Sequence, residues 1–224
     1  MSEEERRVIW APPRGGTRGP TWWLARIVFR LTLLPFGRFR VAGWRRIPRA
    51  GGVLVVANHL ADLDPVFVGM ACMPRRAQYI ALAKHFTRRP LARALFGLGA
   101  FPVRPGGSDA RALRYARDQL AAGRLVVIFP EGGPSWGGDL GEFREGMGVL
   151  GLVEGVRVVP AAIWGAHRVF RGWRLVGRGP VLVAFGQPVP VPTEGTRRER
   201  AVELTRRTRE AVGALLEPMV RASP

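Results

Sequence analysis

Cysteine and lysine are nearly missing from this chain: Cys72 is the single cysteine in 224 residues, and Lys84 the single lysine among 35 basic residues. One thiol excludes an intrachain disulfide framework, and Cys72 has no metal-ligand spacing around it. A reducing compartment is the simplest setting. No apolar core of signal-peptide length follows the N-terminal Met1-Ser-Glu-Glu-Glu-Arg-Arg7, so no secretory signal is read. A G-x-S-x-G nucleophile elbow is absent, and Cys72 sits in an apolar stretch where a core thiol is expected. Three scattered histidines offer no metal cluster, and none is expected. Zinc-finger spacing, RNP-type aromatic motifs and internal repeats are also missing, which leaves net charge as the sole argument for nucleic acid.

That charge is large. Only 17 acidic residues oppose the 35 basic ones, a formal net charge of +18. With one lysine, the excess is arginine, which predicts attraction to polyanions: nucleic acid, an anionic membrane surface or phosphorylated substrates. A hydrophobic content of 47% supports a substantial core and argues against global disorder.

Residues 1–20, rich in Pro, Gly and Arg, read as a flexible leader. Residues 21–35 (TWWLARIVFRLTLLP) are too short and too interrupted by arginine for a membrane span. On a helical wheel they give a broad apolar arc of Trp23, Leu24, Ile27, Val28, Leu31 and Leu34 beside Arg26 and Arg30. That pattern fits an interfacial amphipathic helix, or a helix packed on its own domain. From residue 36 to 220 strands alternate with helices. Strands are expected at Phe39–Trp44, Val53–Ala57, Gln78–Leu82, Ala100–Val103, Leu125–Phe129, Val156–Ile163 and Val181–Phe185. Helices are expected at Val66–Met73, from Pro90 to Gly97 or Gly99, from a Ser108 cap to Ala122, at Met147–Val153 and at Thr196–Val220. The last carries a stripe of Leu204, Thr208, Ala211, Leu215 and Met219. Apolar strands alternating with helices predict one α/β domain with a largely parallel sheet.

The chemistry concentrates at Val53-Leu-Val-Val-Ala-Asn-His-Leu-Ala-Asp-Leu-Asp-Pro65. A buried strand delivers His59 to a turn, and Asp64-Pro65 reads as an N-cap followed by the first helical residue. A hydroxyl is a poor nucleophile at neutral pH, so a positioned base is needed to take its proton. A carboxylate on the other ring nitrogen fixes the tautomer and stabilises the imidazolium. Asp64 is the expected partner and Asp62 a rival. By spacing alone, Asp64 as a mere helix cap and His59 as a turn residue remains the blander alternative.

Four blocks in order give this pattern a resemblance. Asn58-His59-Leu-Ala-Asp-Leu-Asp64 resembles the NHxxxxD motif of the lysophospholipid acyltransferase family, which includes 1-acylglycerol-3-phosphate acyltransferases. Gly99-Ala-Phe-Pro-Val-Arg104 resembles the family's second block, Phe129-Pro-Glu-Gly-Gly-Pro-Ser135 its third, and Val159-Pro160-Ala161 its fourth. The resemblance covers residues 36–190. It implies a mixed, mainly parallel sheet flanked by helices, and acyl transfer from acyl-CoA or acyl-carrier protein to a lipid hydroxyl, with no other cofactor. His59 would deprotonate the acceptor and Asp64 would orient it. Asn58, Lys84, Arg104, Glu131, Gly132, Gly133 and Arg144 would line the substrate site, with Arg104 on a phosphate and the Gly132-Gly133 backbone near the oxyanion. Glu131 holds either its loop or the substrate. The protein would be peripheral or monotopic on the cytoplasmic side of the cell membrane, with an anionic surface, a lysophospholipid acceptor and an acyl thioester donor as partners.

One departure bears on the acceptor. Gly133-Pro134 stands where the family usually has Thr-Arg, which removes an arginine expected on the acceptor's phosphate. Arg144 compensates from the next loop, or the acceptor is not lysophosphatidic acid but a glycolipid, amino-acid lipid or other alcohol. A lipid-binding scaffold without catalysis is the further alternative.

Overall fold

The computed structural model describes residues 39–103, 110–135, 138–171 and 174–222. The leader, the helix expected at 21–35, Arg104 and the Ser108 cap lie outside them. Among the described residues nine strands form: β1 Phe39–Ala42, β2 Val53–Ala57, β3 Ala77–Leu82, β4 Ala100–Val103, β5 Leu125–Ile128, β6 Arg157–Trp164, β7 Phe170–Arg171, β8 Arg174–Leu175 and β9 Val181–Phe185. The helices are α1 Asp64–Ala71, α2 Arg89–Gly97, α3 Ala110–Ala121, α4 Gly146–Gly151, the single turn α5 Ala166–Val169, and α6 Arg197–Arg221.

Seven strands make one sheet in the order β1-β9-β6-β2-β5-β3-β4. The β6–β9 pair is antiparallel and every other pair is parallel, so β1 and β9 run against the remaining five strands. The C-terminal ends of β2, β5 and β6 therefore lie side by side: Val56 pairs with Ile128, and Ala57 with Ala161. The start of β1 and the start of β9 lie at that same end, because Phe39 pairs with Val181 and Leu182 with Trp164.

Burial on both faces explains the unbroken apolar strands. Val53, Val55 and Ala57 of β2 share one cluster with Phe67 and Val68 of α1. Leu54 and Val56 share the other with Ala112, Ala116 and Leu120 of α3, Met147 and Leu150 of α4, and Leu204 and Val212 of α6. Among the described residues no helix is long and apolar enough to cross a membrane.

Boundaries moved for local reasons. The strand expected to reach Trp44 stops at Ala42, because Gly43 at φ 69° turns the chain into a 3-10 turn at Trp44–Arg46. Helix α1 begins at Asp64 itself, the first helical residue, with no side-chain cap from Leu63. Helix α6 is opened by a capping box: Glu199 N–H donates to Thr196 Oγ1 at 3.3 Å, and Thr196 N–H to Glu199 Oε2 at 2.7 Å. Its buried line runs through Ala201, Leu204, Thr205, Thr208, Val212 and Leu216, so the expected stripe is rotated and Ala211, Leu215 and Met219 only flank it.

Helix α4 approaches α6 so closely that a Cβ on Gly148 would run into the Ala201 carbonyl and lie 2.6 Å from Thr205 Oγ1. Gly148→Ala should therefore cost about 1–3 kcal/mol. The measurement is the urea midpoint, which falls at unchanged slope; an unmoved midpoint would show that the two helices separate freely.

Candidate active site

The centre is built where β2 runs out. Asn58 is fully buried, and its carboxamide continues the ladder to β6: Nδ2 donates to Ile163 C=O at 3.0 Å and Ile163 N–H donates to Oδ1 at 2.8 Å. With both ends engaged by backbone, Asn58 fastens the strand end. The expectation that it lines the substrate site is corrected on that ground: its polar groups face β6.

His59 is the next residue. Its Nδ1 lies 3.0 Å from Asp64 Oδ2, and that same oxygen accepts the N–H groups of Leu60 at 2.5 Å and Ala61 at 2.7 Å. A carboxylate only accepts, so the shared contact puts the proton on Nδ1 and leaves Nε2 as the basic nitrogen. Asp64 is fully buried while His59 keeps 14% of its side chain exposed, so the imidazole is the reachable member of the pair. The rival Asp62 is exposed and makes no such contact.

The third block holds His59 from the other side. His59 N–H donates to Glu131 Oε1 at 2.9 Å, and His59 C=O accepts from Ser135 N–H at 2.9 Å and from Ser135 Oγ at 3.3 Å. Glu131 Oε2 accepts Gly141 N–H at 3.3 Å. Both carboxylate oxygens thus serve the loops, which decides the open question about Glu131 in favour of the loop. Burial pushes the Glu131 carboxyl above the usual range; the His59 and Gly141 N–H groups and the His59 charge oppose this, while the Asp64 charge adds to it. Phe129 lies beside the imidazole, ring centroids 4.6 Å apart.

The loop after Ser135 is fastened on two flanks. Arg209 of α6 donates to Gly141 C=O at 3.0 Å and to Leu140 C=O at 3.3 Å, and the ring of Trp164 packs where a Cβ on Gly138 would lie, at 3.1 Å. Gly132, at φ 84°, has its N–H engaged by Phe129 C=O at 3.2 Å, so Gly133 is the freer of the two expected oxyanion donors. Arg144 folds back onto this turn. A Cβ on Gly132 would lie 2.6 Å from the Arg144 guanidinium carbon, and Arg144 N–H donates to Pro130 C=O at 3.1 Å.

The backbone of Lys84 forms part of a 3-10 turn, Ala83–Phe86, at the same end of the sheet. Cys72 is buried, and burial pushes its thiol far above the normal range despite the nearby Arg75, so it is no nucleophile at neutral pH. Three contributors escaped sequence reasoning. Ser135 was visible only as the last letter of a block, and Trp164 lay one residue past an expected strand. His167, the third, stands edge-on to Trp164 with ring centroids 4.6 Å apart. Burial lowers its pKa, Arg168 lowers it further, and the Asp64 charge pulls the other way.

The family model named Acyltransferase matches residues 38–164. A 1-acyl-sn-glycerol-3-phosphate acyltransferase of Borreliella burgdorferi is 28% identical over 139 residues, covering 58% of this chain and 52% of that protein. The lyso-ornithine lipid O-acyltransferase of Pseudomonas aeruginosa is 36% identical over 145 residues, 63% of this chain and 52% of that one. The chain spans about half the length of these curated relatives. Among solved structures, the 1-acyl-sn-glycerophosphate acyltransferase PlsC of Thermotoga maritima superposes with a TM-score of 0.65 at 23% identity, over 93% of this chain and 87% of that one. At that identity the likeness concerns the fold.

Two predictions follow from the geometry. Asn58→Ala leaves the Ile163 N–H and C=O buried without their partner, which should cost about 2–5 kcal/mol in chemical denaturation; a loss below about 1 kcal/mol, the net value of an ordinary hydrogen bond, would refute the fastening role. The second concerns pH. Because the folded protein holds the Glu131 proton to higher pH than the unfolded chain, stability falls as pH rises from the ordinary glutamate range through the raised value. Glu131→Gln cannot ionise, so the stability of the parent relative to this variant should decline across that window in a pH series of unfolding curves.

Proposed function

The chain belongs to the Acyltransferase family, and on that premise we propose that it transfers a fatty acyl group from an acyl thioester to the free hydroxyl of a lysophospholipid-type acceptor. The observation that carries the reading is the His59 Nδ1 contact to a buried Asp64 oxygen at the end of β2. The acceptor's O–H proton passes to His59 Nε2 as its oxygen attacks the thioester carbonyl. Asp64 holds the tautomer and stabilises the imidazolium. When the tetrahedral intermediate collapses, the C–S bond breaks and the leaving thiolate takes the proton back from Nε2. Backbone donors at Gly133 suit the oxyanion, and Arg144, lying on the turn beside it, suits an anionic headgroup.

An apolar cavity of about 70 Å³ opens beside α1, lined by Pro65, Val66, Gly69, Met70, Tyr79 and Leu98. It begins one residue from Asp64 and runs along α1 toward the start of β3, an apolar surface with room for only a short stretch of hydrocarbon. The donor, acyl-CoA or acyl-carrier protein, and a peripheral place on the cytoplasmic face of the membrane are parts of the same proposal. β1 starts at the catalytic end of the sheet.

A second acceptor has its own support. The third block carries Gly133-Pro134 in place of the usual Thr-Arg, and the lyso-ornithine lipid enzyme shares 36% identity against 28% for the Borreliella protein. An amino-acid lipid is therefore the alternative to lysophosphatidic acid. Thiol release measured over both acceptors separates the two readings, and release with neither would reject both.

His59→Ala should lower the rate of thiol release by about 10²–10⁴-fold, the range expected for loss of a general base. Asp64→Asn keeps an acceptor for Leu60 and Ala61 but removes the charge behind the imidazole, so turnover should drop with a smaller loss of stability. Undiminished turnover in His59→Ala would reject His59 as the base that takes the acceptor's proton.

A further inference from the structure

Between Glu154 and Glu194 the chain has no carboxylate side chain, yet Arg157, Arg168, Arg171, Arg174 and Arg178 all fall there. Four of the five lie on the excursion that leaves β6 at Trp164 and re-enters the sheet at Val181, over the catalytic end. All four are exposed. In the hairpin β7–β8, Arg171 sits directly opposite Arg174. Like charges directly opposite one another destabilise a strand pair. Among the described residues no carboxylate pairs with Arg171, Arg174 or Arg178. The hairpin is nevertheless held firmly: Phe170 packs on Phe67 of α1 at 5.8 Å, and Val176 N–H donates to Val169 C=O at 2.9 Å. Val176 itself is 57% exposed, between Arg174 and Arg178.

A rigid hairpin that keeps an unfavourable pair of arginines around an exposed aliphatic residue fits an anionic partner with hydrocarbon beside its charge. We propose that this face docks on an anionic lipid bilayer, with the guanidinium groups at the phosphates and Val176 toward the acyl region. The proposal rests on the lipid-acyltransferase reading for the reason a bilayer would be present, not for the binding itself. Lipid is favoured over an acidic protein because two strands of two residues each offer a footprint far below the roughly 1,200 Å² of a stable protein interface. Arginine stems can lie along apolar surface while their heads stay at the phosphate level.

The test uses the full chain and vesicles of phosphatidylcholine with or without phosphatidylglycerol, in the absence of acceptor and thioester. R171Q/R174Q/R178Q should weaken binding to the anionic vesicles on the order of 100-fold, about one decade or somewhat less per guanidinium removed. R45Q/R49Q/R157Q removes the same charge from exposed positions at the opposite end of the sheet and should bind as the parent does. The hairpin triple should unfold no earlier than the parent, since it relieves a repulsion. Equal losses in the two triples would overturn the docking face and leave net charge alone, and so would parent-like binding by the hairpin triple. Intact vesicle binding with lost binding to an acidic acyl-carrier protein would overturn the lipid assignment in favour of protein. Failure of the acyl-transfer reading registers separately, as no thiol release with any acceptor while the vesicle result stands.

Discussion

One oxygen atom organises the site. Asp64 Oδ2 gathers His59 Nδ1 and the N–H groups of Leu60 and Ala61. A carboxylate removed from water is costly unless several donors surround it. Here two of the donors belong to the turn that presents the histidine, so the need to solvate the charge also dictates the turn. Asp64 is the first residue of α1, where the positive end of the helix dipole adds to the same effect. The local sequence thereby ties tautomer, turn and helix start to one group, and no part of the three can relax alone.

That turn needs anchors, and they come from two other strand ends. Asn58 bonds to Ile163 beyond the part of β6 that pairs with β2, while Glu131 and Ser135, beyond β5, take the two backbone groups of His59. The sheet order is what brings these partners within reach, because β2 lies between β5 and β6 and β6 runs on to Trp164, past the end of β2. The loop that carries Ser135 is itself pinned by Arg209 of α6 and by Trp164. The long C-terminal helix thus supports the base indirectly, through a loop neither of its neighbours in sequence would suggest.

What was legible in the residues follows the range of the interactions. The His59–Asp64 pair spans five positions, so spacing made it a candidate, and the order of the four blocks set it above a helix cap. Most strands and helices were legible too, as apolar runs and caps are local. The reversal of β1 and β9 was not, because a strand buried on both faces reads the same in either direction. The β7–β8 hairpin has two residues per strand, too few for any alternation to register. Asn58 looked like a substrate ligand because its real partner lies 105 positions away. Arg104 and residues 21–35 fall outside the described residues, so their expected roles stay with the sequence.

The altered third block shows how a missing side chain can be replaced in space. With Gly132 at φ 84° and no Cβ, the Arg144 guanidinium lies flat against the turn that elsewhere in the family would carry its own arginine. Arg144 lies against Gly132, the glycine that this block shares with the family pattern, whereas a Cβ on Gly133 would meet nothing within 4 Å, so the space of the missing threonine-arginine pair is open. The consequence is chemical. An arginine within the turn is held by short backbone at one distance from the base, and a charge-assisted bond from it contributes about 1.5–3 kcal/mol to phosphate binding. Arg144 is exposed and reaches in on a long side chain, attached to the turn only through its own N–H. Solvent then screens its charge and several headgroup positions can meet it. On the proposed reading such a site would discriminate less between a phosphomonoester and another anionic headgroup, while the contacts of His59 with Asp64, Glu131 and Ser135 are left untouched.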